Sequence, residues 1–517
     1  MFDRQRVRPG SRYLKDESKM TGNAEYVVTP NNEAELREAL RINHSKGNRM
    51  TVSAMRTGVC GGCVPPDGYI LSLERMAGVI GIGKDDRGYF VRVLPCTTVR
   101  DLNSILMERD FSKLADITPG AIQSLKDEPN PWFYPVDPTE LDGSIGGNIA
   151  CNSSGPSTYK YGPTREWVRR IAVALADGQD MDITRGDIVA EGRRLTFPAG
   201  RELYSFDVPS YDFNTGVKNA TGPMMSENMD LVDLFVGSEG MFGVITEADM
   251  YLAPWHPLVS AVLFFPGDEE ALESAKEIRK DEQLDVEFLE YMDHGSIDLI
   301  RRIRSDDPAL LRIPELPESA VSALFIDFPA DDDAENRILR LGSIIGRHGG
   351  SIESSWCGTE RRDRESMREM RHAIPRSIFE YVASLKGDMP SIHKMGTDMS
   401  VPDENADEMM DFYKERLDAA GLEYVVFGHI GNNHPHVEII LKSMEDFEKA
   451  KEVYEEFARK AVELGGSPSA EHGIGKIKTR YMELMYGREG VEQLRRVKDA
   501  LDPKHMLCPG NILEDRA

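Results

Sequence analysis

Apolar positions in the first half of the chain fall into short runs separated by turn residues. The runs EYVVTP, MTVSA, YILSL, VIGI and YFVRVLP are rich in β-branched and aromatic residues, which is typical of short strands. Between the first two runs, residues 31–47 (NNEAELREALRINHSKG) have apolar residues at helical spacing, an Asn at the start and a Gly at the end, which predicts a helix. A further strand is predicted at VRRIAVALADG. The pattern indicates a lobe of many short strands and a few helices.

The pattern changes near residue 256, in APWHPL, and a second set of elements begins. VSAVLFFP and SALFIDFP read as strands, and EEALESAKEIRKDEQ and SMEDFEKAKEVYEEFARKAVELGG read as helices. YVVFGH and HVEIIL are predicted to be neighbouring strands joined by a short Gly/Asn/Pro loop. A Gly-rich turn, SPSAEHGIGK, and a last helix follow. We therefore predict an α+β chain with three parts, residues 1–256, 257–465 and 466–517.

Composition narrows the classes of function. The chain has 517 residues and a formal net charge of −26, and a surface this acidic repels phosphate backbones, so we expect no nucleic-acid partner. Its basic opening segment has no apolar run behind it, and no stretch of about 18 apolar residues occurs. We expect a soluble cytoplasmic protein without a transmembrane segment. The six cysteines are scattered, which predicts reduced thiols rather than a disulfide framework.

Cys60-Gly-Gly-Cys63 is the one close cysteine pair, and it can be read as a redox dithiol or as half of a zinc site. No second pair of this spacing follows, and the flanks lack the strand-to-helix pattern of a thioredoxin-like motif. We favour two thiols packed in a glycine loop.

The first lobe contains three glycine-rich segments: RTGVCGG (56–62), GSIGGNIACNSSG (143–155) and GSEGMFGVIT (237–246). Successive backbone N–H groups in such segments form concavities that bind anions, so a backbone can hold a pyrophosphate without basic side chains. Any one of them alone is better read as a tight turn. None matches the nicotinamide fingerprint or the P-loop, but the three together favour a dinucleotide.

Taken together, PVDPTELDGSIGGNIACNSSGPSTYKYGPTREWVRRIAVALADG resembles the FAD-binding domain of the vanillyl-alcohol oxidase and p-cresol methylhydroxylase family. YLKDESKMTGNAEYVVTP, DLVDLFVGSEGMFGVITEADMYL, FGHIGNNHPHVEI, SAEHGIGKIK and ALDPKHMLCPGNIL resemble its D-lactate, glycolate and D-2-hydroxyglutarate dehydrogenase branch. The resemblance implies a PCMH-type FAD-binding domain of two subdomains, a ferredoxin-like α/β substrate or cap domain, and a C-terminal helical segment that returns to the flavin.

The resemblance also implies which residues hold FAD. In the first loop, the family usually has an Arg followed by three glycines, whereas this chain has SAMRTGVCGG, with Arg56 followed by Thr57. Some relatives attach flavin to a His of this loop, and this chain has Thr57 there, so non-covalent FAD is expected. The implied cofactor residues are Arg56, Thr57, Gly58, Cys60, Gly61, Gly62, Pro138, Thr139, Gly143, Ser144, Gly146, Gly147, Asn148, Asn152, Ser154, Gly155, Glu239, Gly240, Gly243, Ile245 and Asn511.

A metal site is the second implied feature. On residue patterns alone, His429 and His436 at strand ends are as easily satisfied by backbone carbonyls, and Glu471 can simply begin a helix. The resemblance makes these three residues the ligands of a divalent metal such as Zn, Mn or Fe. Relatives usually have Gly-Asp-Gly-Asn between the histidines, whereas this chain has Gly-Asn-Asn-His, so His434 is a competing ligand.

The implied reaction is oxidation of a 2-hydroxy acid, D-configured in the resembling branch, by hydride transfer to flavin N5. By the resemblance His472 is the candidate base, Arg371 grips the substrate carboxylate, and Lys394 is a weaker substrate-binding candidate. The alternative, non-catalytic interpretations are that His472 is a histidine at the start of a helix and that Arg371 forms a solvated salt bridge.

Other functions stay open at this stage. They are a flavoprotein that acts on another alcohol without metal, a non-redox alkyl-glycerone-phosphate synthase type, a metal-dependent hydrolase without flavin, and a flavin electron-transfer subunit. Expected electron acceptors are an electron-transfer flavoprotein, a quinone or a cytochrome, and peripheral contact with a membrane through the acceptor is one option. A homodimer is one option for the oligomer.

Overall fold

The computed structural model of the chain describes residues 3–138, 140–389 and 392–515. It confirms the α+β prediction. The first sheet, sheet I, has the strand order β1-β2-β4-β3, with β2 and β3 parallel to β4 and β1 antiparallel to β2. Its strands are β1 (Asp3–Arg6), β2 (Tyr26–Thr29), β3 (Met50–Ser53) and β4 (Tyr69–Ser72).

Helix α1 (Glu33–Lys46) crosses between β2 and β3 as predicted. The Asn32 side chain accepts a hydrogen bond from the Glu35 N–H at its start, and Gly47 ends it in the left-handed conformation at φ 67°. Both caps are the ones that the sequence predicts.

Sheet II has the strand order β10-β9-β13-β6-β5-β7 and packs next to sheet I. Its strands are β5 (Val79–Asp85), β6 (Gly88–Val93), β7 (Ala115–Asp116), β9 (Val168–Ala174), β10 (Asp180–Thr184) and β13 (Val244–Tyr251). Two ribbons flank it, β8 (Trp132–Phe133) with β14 (Ala253–Pro254), and β11 (Arg194–Ala199) with β12 (Glu202–Asp207). The helices of this region are α2 (Val99–Glu108), α3 (Ala121–Asp127), α4 (Ile145–Cys151), α5 (Thr158–Tyr161) and α6 (Leu231–Phe235).

The second glycine-rich segment is not the continuous loop that its composition suggests, because α4 forms inside it. Ser144 caps this short helix by accepting a hydrogen bond from the Gly147 N–H at 3.2 Å. A Cβ at Gly146 would lie 2.8 Å from the carbonyl oxygen of Pro95, so glycine lets the helix pack directly on a neighbouring backbone.

Sheet III has the strand order β18-β15-β17-β16-β20-β21-β19, with antiparallel neighbours throughout the described residues. Its strands are β15 (Leu258–Phe265), β16 (Phe288–Met292), β17 (Ser322–Pro329), β18 (Trp356–Gly358), β19 (Met395–Gly396), β20 (Glu423–His429) and β21 (His434–Ile440). The helices around it are α7 (Asp268–Lys280), α8 (His294–Ile303), α9 (Ala334–Arg347), α10 (Arg361–Leu385), α11 (Ala406–Ala420) and α12 (Met444–Glu463). Strand β21 begins two residues earlier than predicted, which brings His434 into the sheet.

The C-terminal segment returns to the first lobe through α13 (Arg480–Leu501), which is kinked at Gly487. The Met50 N–H donates to Met506 O at 2.7 Å, and the Cys508 N–H donates to Met50 O at 2.8 Å, so the tail extends the edge of sheet I. Among the described residues, no helix is both long and apolar enough to cross a membrane.

Lys498 of α13 anchors this return and provides a test of it. Its buried ammonium group lies 2.6 Å from Asp502 Oδ2 and donates to Met241 O at 2.6 Å and Leu507 O at 3.0 Å. We expect Lys498→Met to leave the Asp502 carboxylate buried without its cation, at a cost of about 3–5 kcal/mol. Differential scanning calorimetry should show a clear fall in the apparent Tm. The matched control is Lys442→Met, whose partner Glu423 is exposed, and an equal fall in both variants would contradict the anchoring role.

Candidate active site

Strands β20 and β21 bring three histidines together on one face of sheet III. His429 pairs with His434 and Phe427 with His436 in the antiparallel register, so these side chains share a face. Glu471 reaches the same point from the loop before α13. His429 Nε2 lies 3.5 Å from Glu471 Oε2, His436 Nε2 lies 3.5 Å from Oε1, and His434 Nδ1 lies 3.9 Å from Oε2. We call His429, His434, His436 and Glu471 the histidine cluster; one donor atom from each lies within 4.8 Å of the others.

Each histidine has its second ring nitrogen turned outward towards an acceptor. His429 Nδ1 lies 2.8 Å from Glu290 Oε1 and His434 Nε2 lies 3.2 Å from Asp398 Oδ1. His436 Nδ1 donates to the carbonyl oxygen of Thr397 at 3.0 Å. The outward N–H of His436, held in this way, leaves its Nε2 with the lone pair, which is how metal-binding imidazoles are oriented. His429 Nδ1 and His434 Nε2 lie near their carboxylates without making a well-aligned hydrogen bond.

Charges around Glu471 keep its carboxylate ionised. Burial alone would raise the pKa of Glu471, but the Lys218 ammonium, 2.7 Å from Oε2, and the His429 ring outweigh burial and hold the pKa well below its usual value. Burial lowers the pKa of His434 well below its usual value. The cluster thus combines an anionic carboxylate with a neutral imidazole, a donor set that fits a divalent cation.

Asp398 organises the loop that carries Glu471. It accepts hydrogen bonds from the N–H groups of Glu471 at 3.1 Å and His472 at 3.2 Å, and from Lys478 Nζ at 2.6 Å. Burial would raise the pKa of Asp398, but His472 and Lys478 hold it well below its usual value. Nothing in the sequence around Asp398 predicts this role.

The three residues predicted to take part in catalysis lie in different surroundings. The His472 ring stacks on His436 with centroids 6.0 Å apart, and its Nδ1 lies 3.2 Å from Asp398 Oδ2. Two nitrogens of Arg371 already bind Glu290, so the alternative interpretation as a salt bridge applies, but the partner carboxylate is buried rather than solvated. Lys394 Nζ lies 2.5 Å from Glu438 Oε1, outside the histidine cluster.

The predicted glycine-rich segments meet in the first lobe, and the C-terminal segment joins them. Asn511 Nδ2 donates to Gly62 O and to Glu239 O, both at 3.1 Å. Glu239 Oε1 in turn accepts hydrogen bonds from the N–H groups of Ile474 at 2.7 Å and Gly475 at 2.9 Å. The Glu239 N–H donates to Ala150 O of α4 at 2.8 Å. Segments 56–62, 143–155, 237–246 and 508–511 therefore surround one place.

Several implied cofactor residues have room or unsatisfied groups for a ligand. A Cβ at Gly58 would meet nothing within 4 Å, and one at Gly62 would stay 3.6 Å from its neighbours. The buried hydroxyls of Ser154 and Ser53 have no hydrogen-bond partner among the described residues. An open glycine cradle with orphaned hydroxyls fits a bound dinucleotide.

Other implied cofactor residues pack against neighbouring protein groups and support the structure of the site. A Cβ at Gly243 would lie 2.6 Å from Val173 Cγ1, and Ile245 is buried in β13. The Arg56 guanidinium lies over the Tyr13 ring, 5.3 Å from its centroid. A Cβ at Gly155 would lie 2.1 Å from the carbonyl oxygen of Asp137, next to Pro138. The remaining residues lie along the three segments: Thr57, Gly61, Gly143, Ser144, Gly146, Gly147, Asn148, Asn152 and Gly240; Thr139 is outside the described residues.

The cysteines are free thiols, as predicted. Burial raises the pKa of Cys60 to about 12 and that of Cys63 to about 11, so both stay protonated at neutral pH. Cys60 Sγ donates to Gly473 O at 3.4 Å, which ties the first loop to the Glu471 loop.

A cavity of about 660 Å³ lies beside the histidine cluster. Ser154 and Lys218 line it from the first lobe, and Arg279, Asp403 and Asn433 line it from the second. Lys218 lines the cavity and also contacts Glu471, so this residue joins the cavity wall to the histidine cluster.

Comparison with known proteins identifies relatives over almost the whole chain. The family model described as "FAD binding domain" matches residues 24–124, and "FAD linked oxidases, C-terminal domain" matches residues 257–512. The chain is 26% identical over 500 residues to glycolate oxidase subunit GlcD of Bacillus subtilis, covering 94% of this chain and 88% of that protein.

Two further relatives have related names. The chain is 24% identical over 496 residues to a D-lactate dehydrogenase of Archaeoglobus fulgidus (94% and 91% covered) and 24% identical over 503 residues to a D-2-hydroxyglutarate dehydrogenase of Xanthomonas citri pv. viticola (96% and 90% covered). A solved alkyldihydroxyacetonephosphate synthase is similar in fold, with a TM-score of 0.58 at 14% identity over 94% of this chain and 77% of that one.

Asn511 offers a test of the convergent segments. Asn511→Ala removes three hydrogen bonds worth about 1 kcal/mol each, two donated by Nδ2 and one accepted from Lys476 Nζ. The preorganised cradle therefore loosens, and FAD affinity should fall on the order of 10-fold or more. The measurement is FAD content after gel filtration, followed by titration of the apoprotein with FAD. The control is Asn336→Ala, an exposed asparagine that bonds Asp333. Full FAD affinity in Asn511→Ala would contradict this role.

Proposed function

Because the chain belongs to the FAD-linked oxidase family, we propose that it is an FAD-dependent dehydrogenase that oxidises a D-2-hydroxy acid to the 2-oxo acid with help from a divalent metal. The names of its relatives, glycolate oxidase and D-lactate and D-2-hydroxyglutarate dehydrogenases, support this class of substrate. The observation that carries the proposal is the set of inward-facing imidazoles around Glu471, beside the converged glycine-rich segments.

The residues of the site fit two groups, FAD and a divalent metal ion. When bound in the glycine cradle, FAD supplies a hydride acceptor at N5. A divalent ion held by His429, His436 and Glu471 would act as a Lewis acid towards the hydroxyl and carboxylate oxygens of the substrate.

His472 is the proposed base for the hydroxyl proton. Its Nδ1 faces the ionised Asp398, so Nε2 is the nitrogen that would accept the proton. A buried carboxylate next to the ring stabilises the imidazolium that results. With 36% of its side chain exposed, His472 is the most accessible imidazole of this group.

Two cations near the cluster are candidates to bind the substrate carboxylate, the half-buried Arg371 and the buried Lys218. Arg371 is engaged by Glu290, so in this arrangement it steadies Glu290 and, through it, His429. Lys218 lines the cavity and contacts Glu471. We propose that a carboxylate entering from the cavity meets Lys218 first, and that Arg371 reaches substrate only by giving up Glu290.

The Lys218 contact also supports a second candidate function. An ammonium group that already neutralises Glu471 is what a related flavoprotein would need if it oxidised a different alcohol without metal. The electron acceptor, whether an electron-transfer flavoprotein, a quinone or a cytochrome, rests on the family resemblance alone.

The decisive experiment is anaerobic bleaching of the visible flavin band by D- and L-2-hydroxy acids, before and after chelation. We expect a D-acid to bleach the flavin, a chelator to abolish this, and a divalent metal to restore it. Bleaching that is indifferent to chelation would favour the metal-free candidate. A flavoprotein that no hydroxy acid bleaches would contradict the proposed substrate class.

Removal of the base should slow the reaction without emptying the site. We expect His472→Gln to lower kcat by roughly 10²–10⁴-fold, the range of general base catalysis, while FAD and metal contents stay unchanged. His294→Gln, at an exposed histidine paired with Asp268, is the matched control. An unchanged kcat in His472→Gln, measured by stopped-flow flavin reduction, would exclude His472 as the base.

A further inference from the structure

The histidine cluster contains one more imidazole than the proposed metal site uses. His434 is fully buried, at 0% exposed, and its ring lies on the same face of the sheet as those of His429 and His436, with centroids 5.4 and 4.7 Å away. Neither ring nitrogen makes a well-aligned hydrogen bond among the described residues, and the one that faces the cluster is Nδ1, which lies 3.9 Å from Glu471 Oε2. A buried polar atom without a partner costs about 1–3 kcal/mol, so this nitrogen needs an explanation.

The surroundings of His434 repeat those of the other two histidines. Its outward nitrogen faces the Asp398 carboxylate at 3.2 Å, as that of His429 faces Glu290 at 2.8 Å. Its inward nitrogen faces Glu471, as theirs do. A histidine whose only role was to fill the core would not need a carboxylate near its outward nitrogen and, at the same time, an inward nitrogen that faces Glu471.

We propose that His434 is a fourth protein ligand, so that the centre consists of three imidazoles and the Glu471 carboxylate. The inference deepens the proposed function and rests on a metal being bound there. Donor atoms that share an ion at about 2.0–2.2 Å lie at most roughly 4.4 Å apart. The three separations from Glu471, 3.5, 3.5 and 3.9 Å, fall inside this limit. All four donor atoms lie within 4.8 Å of one another, so a small inward movement of the imidazoles would complete the set.

The extra imidazole restricts the class of metal. Imidazole donors suit Zn, Fe, Cu and Ni, whereas Mg²⁺ and Ca²⁺ require mainly oxygen donors. The loop between the strands contributes Asn432 and Asn433 and no second carboxylate. The centre should therefore bind Zn²⁺ in the presence of excess Mg²⁺ or Ca²⁺. An ion that accepts six donors would retain two positions, enough for the two oxygens of a 2-hydroxy acid.

The test uses the FAD-loaded full chain with Zn²⁺ and Cu²⁺ as probes. Zn²⁺ affinity is measured by competition with a fluorescent chelator, and coordinated imidazoles are counted by pulsed EPR of bound Cu²⁺. We expect His434→Asn to weaken Zn²⁺ binding by at least about 10-fold and to lower the imidazole count by one. His436→Asn is the comparison at a ligand already proposed, and His294→Asn is the surface control. Circular dichroism and FAD content confirm that each variant is folded.

The proposal is overturned if His434→Asn keeps the Zn²⁺ affinity and imidazole count of the wild type while His436→Asn loses both. It is also overturned if the wild type binds neither ion, and flavin bleaching then still decides whether a hydroxy acid is oxidised. If the metal counts are as expected but chelation leaves bleaching intact, the four-ligand centre stands and the metal-assisted reaction fails.

Discussion

Two buried carboxylates, one from each lobe, hold the loop on which the site depends. Glu239 from the first lobe accepts hydrogen bonds from the N–H groups of Ile474 and Gly475. Asp398 from the second lobe accepts them from Glu471 and His472. A glycine-rich loop has no conformation of its own to favour, so these charge-assisted bonds decide where Glu471 and His472 point. The glycine cradle and the histidine cluster become neighbours because one short loop is fixed to both.

Pairing of buried charges explains the arrangement around the histidines. Glu290 is matched by Arg371, Glu471 by Lys218 and Asp398 by Lys478. A carboxylate removed from water without a cation would be protonated or strongly destabilising. Because each of these cations already has a carboxylate partner, none is available to bind a substrate carboxylate directly. Substrate binding must therefore exchange one ion pair for another. Of the imidazole nitrogens that face Glu471, His434 Nδ1 has no hydrogen-bond partner among the described residues, which makes the histidine cluster the candidate point for a metal ion to bind.

Much of the fold was predictable because its strands and helices have strong local signals. The caps of α1, the strand pair β20 and β21, and the long helix α12 all follow from apolar periodicity and from Asn, Ser and Gly at their ends. Helix α4 was missed because glycine has low helix propensity, and it forms where Ser144 caps it and the neighbouring backbone leaves no room for side chains. His434 entered β21 because the turn closes over Ile430–Asn432, with Asn433 in the left-handed conformation at φ 48°.

The sequence and its family resemblance singled out the candidate residues: His429 and His436 at strand ends, Glu471 and His472 in a glycine-rich turn, and three glycine segments that belong to one lobe. Only the tertiary structure decided what surrounds them. Glu290, Lys218 and Asp398 lie far along the chain from the groups that they contact, with no local pattern to mark them. Spacing along a strand or helix reports on neighbours within that element, whereas burial pairs charges across the whole fold. The partners of Arg371 and the orientation of each imidazole therefore become visible only when the lobes and the C-terminal segment are assembled.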